Sequence, residues 1–144
     1  TLTVTLPRVR NAAGAEPTSQ TIAGVRVLLI DNDGQVRRVL QILLRGAGAV
    51  VDAVQSAPDA RAILQQDRTD IVVSDITMPV EDGYTLVRRL RETRGKAAVL
   101  PAIAITATNM EADRQRALAA GFDRYLTKPI DLALLIANIA ELVR

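Results

Sequence analysis

The sequence predicts an α/β fold in which a parallel β-sheet is covered by helices on both faces. From Val25 onward, short aliphatic runs alternate with stretches whose apolar residues recur at helical spacing, and this unit occurs five times. The apolar runs are nearly continuous, which is typical of strands that are buried on both faces of a sheet. Strands that alternate with helices in this way form a parallel sheet between two layers of helices.

The five strands are predicted from the apolar runs themselves. The first run, VRVLLI, ends at Ile30, where three polar residues follow. The third run ends at Ser74, and a loop then leads to Gly83. The predicted strands cover residues 25–30, 50–54, 71–74, 102–106 and 125–127.

The helices are predicted from apolar spacing and from residues that start or stop helices. Ser56 and Asp59, with Pro58 between them, form the starting pattern of the second helix. The fourth helix covers 111–120 and ends at Gly121, and Thr108 to Glu111 has the pattern of a capping box at its start. The first helix carries Val36, Val39, Leu40, Leu43 and Leu44 before Gly46 and Gly48, the third carries Leu86, Val87 and Leu90, and the last carries Leu132, Leu135, Ile136, Ile139 and Val143.

Residues 1–24 differ from this pattern. Leu2, Val4 and Leu6 alternate with polar residues, as in a half-buried strand, and residues 7–24 have the composition of a linker. We therefore divide the chain into a strand remnant with a linker over 1–24 and a domain over 25–144.

The composition excludes several kinds of site. Without cysteine or histidine, the chain has no disulfide, no thiolate metal site and no phosphohistidine of its own. The net charge of +2 is spread along the sequence, and one Phe, two Tyr and no Trp offer little stacking surface, so we expect no nucleic-acid binding. No apolar run approaches the roughly 20 residues that span a bilayer. We expect a soluble, cytoplasmic domain that makes no membrane contact.

Polar residues follow the predicted strands where they end. Asp31, Asn32 and Asp33 follow the first strand, Asp75 the third, Thr106 closes the fourth and Lys128 follows the fifth. Ligands of parallel α/β sheets bind outside the carboxyl ends of the strands. Carboxylates at one such edge suit Mg²⁺, and a carboxylate can itself attack phosphorus to give an acyl phosphate, with lysine and hydroxyl groups bound to the phosphoryl oxygens.

Each of these residues also has a simpler interpretation when it is taken alone. Asp33 fits the cap of the first helix better than a metal ligand, Thr106 alone suits a structural role, and Lys128 alone suits a solvated loop. Their joint placement at one sheet edge favours a site.

Four segments resemble the response-regulator receiver domains of two-component signalling: IDND at 30–33, SDITMPVEDGY at 74–84, AITAT at 104–108 and AAGFDRYLTKPID at 119–131. They follow the order and spacing of that family from Val25 to the end of the chain. The resemblance implies a flavodoxin-like doubly wound (βα)5 fold with strand order 2-1-3-4-5. It also implies a cis bond between Lys128 and Pro129.

The resemblance assigns roles to individual residues. Asp75 matches the phosphoacceptor, Lys128 the phosphate-pairing lysine and Thr106 the switch hydroxyl, with Tyr125 as the aromatic that follows activation. The implied Mg²⁺ ligands are Asp31, Asn32, Asp75 and Thr77.

Two departures from the family pattern modify these expectations. Receivers usually have two adjacent acids after the first strand, whereas here the second is Asn32, so we expect weaker Mg²⁺ binding unless Asp33 turns in. The positions that tune hydrolysis hold Thr77 and Thr108. Neither orients water as well as an amide or a carboxylate, so we expect a long-lived phosphoryl state.

The predicted function is a phosphoryl relay from a histidine kinase or histidine phosphotransfer domain to Asp75, with no kinase activity in this chain alone and with room for a weak dimer. A docking module that is not phosphorylated is the alternative, and Asn32 favours it. A hydrolase with an aspartyl nucleophile is a second alternative, but no insertion is present for a substrate cap. The opening TLTVTLP resembles the last strand of kinase ATP-binding domains, which predicts that the parent protein is a hybrid sensor kinase.

Overall fold

The computed structural model describes residues 21–143, so the strand predicted at Leu2 to Leu6 lies outside the described residues. Five parallel strands form one sheet in the order β2-β1-β3-β4-β5, which confirms the predicted topology. The strands are β1 (Arg26–Ile30), β2 (Val50–Val54), β3 (Ile71–Asp75), β4 (Ala102–Thr106) and β5 (Arg124–Thr127).

Five α-helices follow the strands in turn. They are α1 (Gly34–Gly46), α2 (Ala57–Leu64), α3 (Gly83–Glu92), α4 (Glu111–Ala120) and α5 (Leu132–Leu142), and a short 3-10 helix over Gly95–Val99 precedes β4. The sequence analysis did not predict this 3-10 helix. In the part of the chain that the structure describes, no helix combines the length and the apolar character needed to cross a membrane.

Successive residues of each strand pack into two separate cores, one on each face of the sheet. Leu28 and Ile30 of β1 pack with α2, α3 and α4, whereas Val27 and Leu29 pack with α1 and α5. This alternation follows from the pleat, which sends successive side chains to opposite faces. The three inner strands, β1, β3 and β4, are covered on both faces and are mainly apolar, as the sequence predicted, whereas the edge strands β2 and β5 are only partly buried.

The boundaries differ from the predictions by one or two residues in places. β1 and β5 begin at Arg26 and Arg124, and Asp75 is the last residue of β3 rather than the first residue after it. Ile22, which lies within the predicted linker, is completely buried in the core beside α1 and α5, and Gly24 donates a hydrogen bond to the carbonyl of Gly48. Residues 21–24 therefore pack against the domain.

One capping prediction is confirmed and another is wrong. The Ser56 side chain accepts a hydrogen bond from the Asp59 amide and caps α2. Helix α4 instead has Met110 at its cap position, without a side-chain hydrogen bond, so Thr108 and Glu111 do not form a capping box. The Thr108 hydroxyl accepts from the amide of Met110, two residues ahead, and is used in a local turn.

Arg91 joins four segments at the amino edge of the sheet. Its guanidinium donates to the carbonyls of Ala98, Leu100 and Gly121 and forms an ion pair with Asp123. It thereby fixes the segment before β4 and the α4–β5 turn, at the edge opposite the strand ends that carry the polar residues.

Candidate functional site

The carboxyl edge of the sheet brings together two buried carboxylates. β1 and β3 are neighbours with Ile30 opposite Ser74, so Asp31 and Asp75 emerge side by side. Asp31 is 1% exposed and Asp75 is 6% exposed. Two acids at such depth repel each other and are costly to ionise together, so a cation is expected beside them.

Lys128 supplies that cation. Its Nζ lies 3.3 Å from Asp31 Oδ2 and 3.6 Å from Asp75 Oδ2, so one ammonium bridges both carboxylates. The Lys128 amide also donates to the carbonyl of Thr106 at 2.7 Å, which fixes the end of β5 beside β4. The Lys128–Pro129 bond is cis, as predicted.

Asp75 is electrostatically unusual for a carboxyl group. Burial, together with the neighbouring Asp31, raises its pKa to about 6, although Lys128 opposes the shift. A carboxylate held at this higher pKa is a better nucleophile than an ordinary surface aspartate and is still mostly ionised at neutral pH.

The loop after β3 is shaped to pass close to Asp75. A Cβ on Gly83 would lie 2.5 Å from the Asp75 carbonyl oxygen, so a residue without a side chain is required there. Earlier in the loop the Glu81 amide donates to the Pro79 carbonyl, a tight γ-turn that forces Val80 to a φ of 72°. Glu81 itself is clamped by Arg61 at 2.7 Å and Arg89 at 3.3 Å.

Thr106, Thr108 and Tyr125 form a connected set at the end of β4. The Thr106 hydroxyl is buried and accepts from the Thr108 amide at 3.3 Å. The Tyr125 hydroxyl donates to the Thr108 carbonyl. The predicted switch hydroxyl and the predicted switch aromatic are therefore linked through a single peptide segment.

The residues after β1 divide between two roles. Asp33 caps α1, because its Oδ1 accepts from the amides of Gln35 and Val36, and this interpretation from the sequence is confirmed. Asn32 is exposed beside Asp31. The carboxylate that Asp33 uses as a cap is not turned toward a metal, so Asp31 and Asp75 remain as the two acids of the pocket.

This donor set fits a hard divalent cation. Asp31 Oδ2 is buried and accepts no hydrogen bond, and its charged neighbour is the Lys128 ammonium at 3.3 Å, so this oxygen can ligate a cation. Within residues 21–143 no group of three or more Asp, Glu, His or Cys residues is arranged to hold a metal. Mg²⁺ needs only one or two carboxylates and retains several waters, so Asp31 and Asp75 with neutral oxygens from Asn32 and Thr77 are suitable ligands.

An apolar groove leads to this pocket from the α1 side. Its volume is about 300 Å³, and Lys128 lies at its end. Val39 and Leu43 of α1 line the groove and are 54% and 40% exposed. The other lining residues are Gln35, Val36, Leu40, Pro129, Ile130 and Leu132. Val39 and Leu43 are among the apolar residues at helical spacing that predict α1, but only Leu40 and Leu44 of that helix are buried.

A second cleft, of about 430 Å³, reaches the pocket from the opposite face of the sheet. It is lined by Ile76, Thr77, Met78, Asp82, Tyr84, Thr106, Thr108, Asp113 and Arg116. Sequence reasoning did not single out Tyr84 or Arg116. The only available signal was the position of Tyr84 directly after the Asp-Gly pair, and nothing in the sequence indicated that the two residues meet.

Comparisons with known proteins agree with this geometry. The family model described as "Response regulator receiver domain" matches residues 27–140. A 14.6 kDa protein of Leptolyngbya boryana is 43% identical over 122 residues, which are 85% of this chain and 92% of that protein. Hybrid signal transduction histidine kinase D of Dictyostelium discoideum is 33% identical over 138 residues, which are 90% of this chain but 9% of the kinase. Several other curated relatives are about twice as long as the part that this chain matches.

Solved structures lead to the same fold. A response regulator from Chloroflexus aurantiacus superposes with a TM-score of 0.78 at 28% identity, over 83% of this chain and 98% of that one. The receiver domain of Ssk1 from Saccharomyces cerevisiae, solved with the histidine phosphotransfer protein Ypd1, has a TM-score of 0.77 at 24% identity, over 85% of this chain and 90% of that one. The strand order, the polar residues at the strand ends and the family match have one explanation: this chain belongs to the response regulator receiver domains of two-component signal transduction.

Proposed function

We propose that Asp75 is the phosphoacceptor of this receiver and that a phosphohistidine on a partner protein is the donor. The observation that carries the proposal is the position of Lys128, whose ammonium lies within 3.6 Å of both buried carboxylates. This arrangement supports a pocket in which Asp75 is the nucleophile, Lys128 pairs with the phosphoryl oxygens and Asp31 binds the metal.

In the transfer step a carboxylate oxygen of Asp75 attacks phosphorus, and the bond from phosphorus to the imidazole nitrogen of the partner breaks. The electron pair of that bond stays on the imidazole. As the phosphoryl group arrives, Lys128 pairs with one of its oxygens and the Thr106 hydroxyl donates to another. Asp31, Asp75, Asn32 and Thr77 would hold Mg²⁺, which would neutralise charge on the phosphoryl oxygens.

A change in the hydrogen bonding of the Thr106 hydroxyl gives the domain a signal output. In the described geometry the Thr106 hydroxyl accepts a hydrogen bond from the Thr108 amide. Engagement with a phosphoryl oxygen changes the bonding of this hydroxyl, and the Thr108 segment transmits the change to Tyr125. Activation is then a shift between two populations of the surface around α4, β5 and α5.

The groove beside α1 is the proposed docking site for the donor. Its exposed apolar residues can receive a helix of the partner, and Lys128, which lines the groove, also lies 3.6 Å from Asp75, the proposed acceptor. Helix α1 has three arginines, Arg37, Arg38 and Arg45, and no acidic residue, so an acidic surface on the partner complements it. The Ssk1 receiver, which has the same fold, was solved with a histidine phosphotransfer protein.

The test is intact-mass spectrometry after incubation with acetyl phosphate and Mg²⁺. The native chain should gain one phosphate, and the gain should be absent in Asp75→Asn. No gain in the native chain would instead favour the docking module that is not phosphorylated.

A second measurement tests the docking site separately. Val39→Asp should slow transfer from a phosphorylated histidine phosphotransfer domain that loads the native protein, because it places a charge within the apolar groove. Loading by acetyl phosphate should be unchanged, since the small donor needs no docking surface. Equal transfer rates for the variant and the native chain would exclude the α1 groove as the contact.

The hydrolysis-tuning roles of Thr77 and Thr108 and a hybrid-kinase parent are also parts of this proposal. Both threonines line the second cleft, which lies on the α3 and α4 side of the sheet. The hybrid-kinase origin depends on residues 1–20, which lie outside the described part of the chain.

A further inference from the structure

Helix α4 is attached to the domain by few apolar contacts. Only Ala117 and Ala120 of this helix are buried, and both side chains are small. Its first turn lacks a capping side chain, and Arg114 pairs with Glu111 on the helix itself. The position of α4 therefore depends strongly on contacts other than those of these two alanines.

Tyr84, in the first turn of α3, supplies such contacts. Its ring is 6% exposed, and the guanidinium carbon of Arg116 lies 4.1 Å from the ring centroid. Its hydroxyl donates to the carbonyl of Asp113 at 3.5 Å. Burial raises the pKa of the Tyr84 phenol, so the hydroxyl keeps the proton that it donates. We call Tyr84, Asp113 and Arg116 the α3–α4 clasp.

The three clasp residues line the same cleft as Thr77, Thr106 and Thr108. Thr77 lies directly beside the acceptor, because its amide donates to Asp75 Oδ1 at 3.3 Å. A water molecule that attacks a phosphoryl group on Asp75 has a route through this cleft, past the clasp.

We propose that the α3–α4 clasp slows loss of the phosphoryl group by holding α4 across the cleft, so that Tyr84 and Arg116 act as positioning residues for hydrolysis. This inference rests on the proposed function of Asp75. In hydrolysis the water oxygen attacks phosphorus, the bond from phosphorus to the Asp75 oxygen breaks, and its electron pair restores the carboxylate. Phosphate leaves with the water oxygen, and a proton passes to solvent.

The test measures the half-life of the phosphorylated protein by intact mass after removal of acetyl phosphate. An exposed cation–π contact changes the balance between held and released states by a factor of about 2 to 5, so Arg116→Gln should shorten the half-life by about that factor. Arg116→Lys keeps a cation over the ring and should restore most of it. Tyr84→Phe keeps the ring but loses the long hydrogen bond to the Asp113 carbonyl, so it should shorten the half-life less than Arg116→Gln does.

Arg114→Gln is the matched control, because it removes the same charge from the same helix at a residue that does not contact Tyr84. Its half-life should equal that of the native protein. Equal half-lives for Arg116→Gln and the native protein would overturn this inference alone. So would an equal shortening of the half-life in Arg114→Gln, or a half-life in Arg116→Lys as short as that in Arg116→Gln. Absence of any phosphate gain in the native protein would overturn the proposed function and this inference together.

Discussion

The Tyr125 hydroxyl donates a hydrogen bond to the backbone carbonyl of Thr108, and the Thr108 amide in turn donates to the Thr106 hydroxyl. The Tyr125 side chain on β5 is therefore tied, through one residue of the β4–α4 loop, to the Thr106 hydroxyl at the carboxyl edge of the sheet. A change in the bonding of Thr106 has a short covalent and hydrogen-bonded route to the protein surface.

Tyr125→Phe tests this route. The substitution removes the hydrogen bond from the Tyr125 hydroxyl, and the Thr108 carbonyl must then accept one from water. We therefore expect the free energy of unfolding to fall by about 1 kcal/mol. Urea denaturation measures that loss. In NMR spectra the amides of residues 106–110 should shift while those around Arg91 stay in place. Unchanged shifts in the loop would show that the bond does not constrain it.

Asp75→Asn should stabilise the metal-free protein in a pH-dependent way. The folded-state pKa of about 6 lies above the ordinary value of 3.8, so the folded state binds more protons than the unfolded state between these values. Stability from this group is present below pH 4 and is lost as the pH rises through 6.

The asparagine variant lacks this loss. Its advantage over the native protein in free energy of unfolding should grow from near zero at pH 4 to about 1 to 3 kcal/mol at pH 7.5, measured in EDTA. A constant difference across this range would contradict the assigned burial and repulsion.

Asn32→Asp should strengthen Mg²⁺ binding. The native pocket has one negative charge fewer than receiver domains usually have, because Asn32 stands where a second acid is usual. A carboxylate at position 32, beside Asp31, restores that charge. An added charge this close to the metal should tighten binding by about tenfold or more. NMR titration is suitable, since the chain has no Trp for fluorescence.

Gln66→Glu, which adds the same charge at an exposed position after α2, is the matched control and should leave the Mg²⁺ affinity unchanged. Equal affinities in Asn32→Asp and the native chain would mean that Asn32 does not limit the site.

Val80→Gly should stabilise the fold. Val80 is fully exposed, so its side chain contributes no packing, and its φ of 72° is unfavourable for a β-branched residue. The relief of strain exceeds the entropy that glycine adds to the unfolded chain, and we expect a gain of about 1 kcal/mol in thermal or urea unfolding.

Val99→Gly is the comparison for this substitution. Val99 is 77% exposed but lies in a 3-10 helix without a positive φ, so the same change should lower stability. Losses of similar size at both positions would refute the strain at Val80.

The sequence predicted the strands and the residues at their ends because burial on both faces leaves a local apolar signal that ends at each polar residue. It did not predict Tyr84 against Arg116, or Glu81 between Arg61 and Arg89, because these pairs join segments that are distant in the chain and have no local signature. Thr108 and Glu111 had the spacing of a capping box, yet the hydroxyl bonds the Met110 amide instead. The exposed side of α1 was also missed, since helical spacing does not distinguish a core face from a docking face.

The two openings onto the pocket lie on opposite faces of the sheet, one beside α1 and ending at Lys128, the other between α3 and α4 and ending at Thr106. With donor docking and water entry assigned to these separate openings, the residues that select the phosphoryl donor differ from the residues that set the lifetime of the phosphoryl group. Substitutions in one opening can then lengthen or shorten the lifetime of the phosphoryl group without changing which donor phosphorylates the domain.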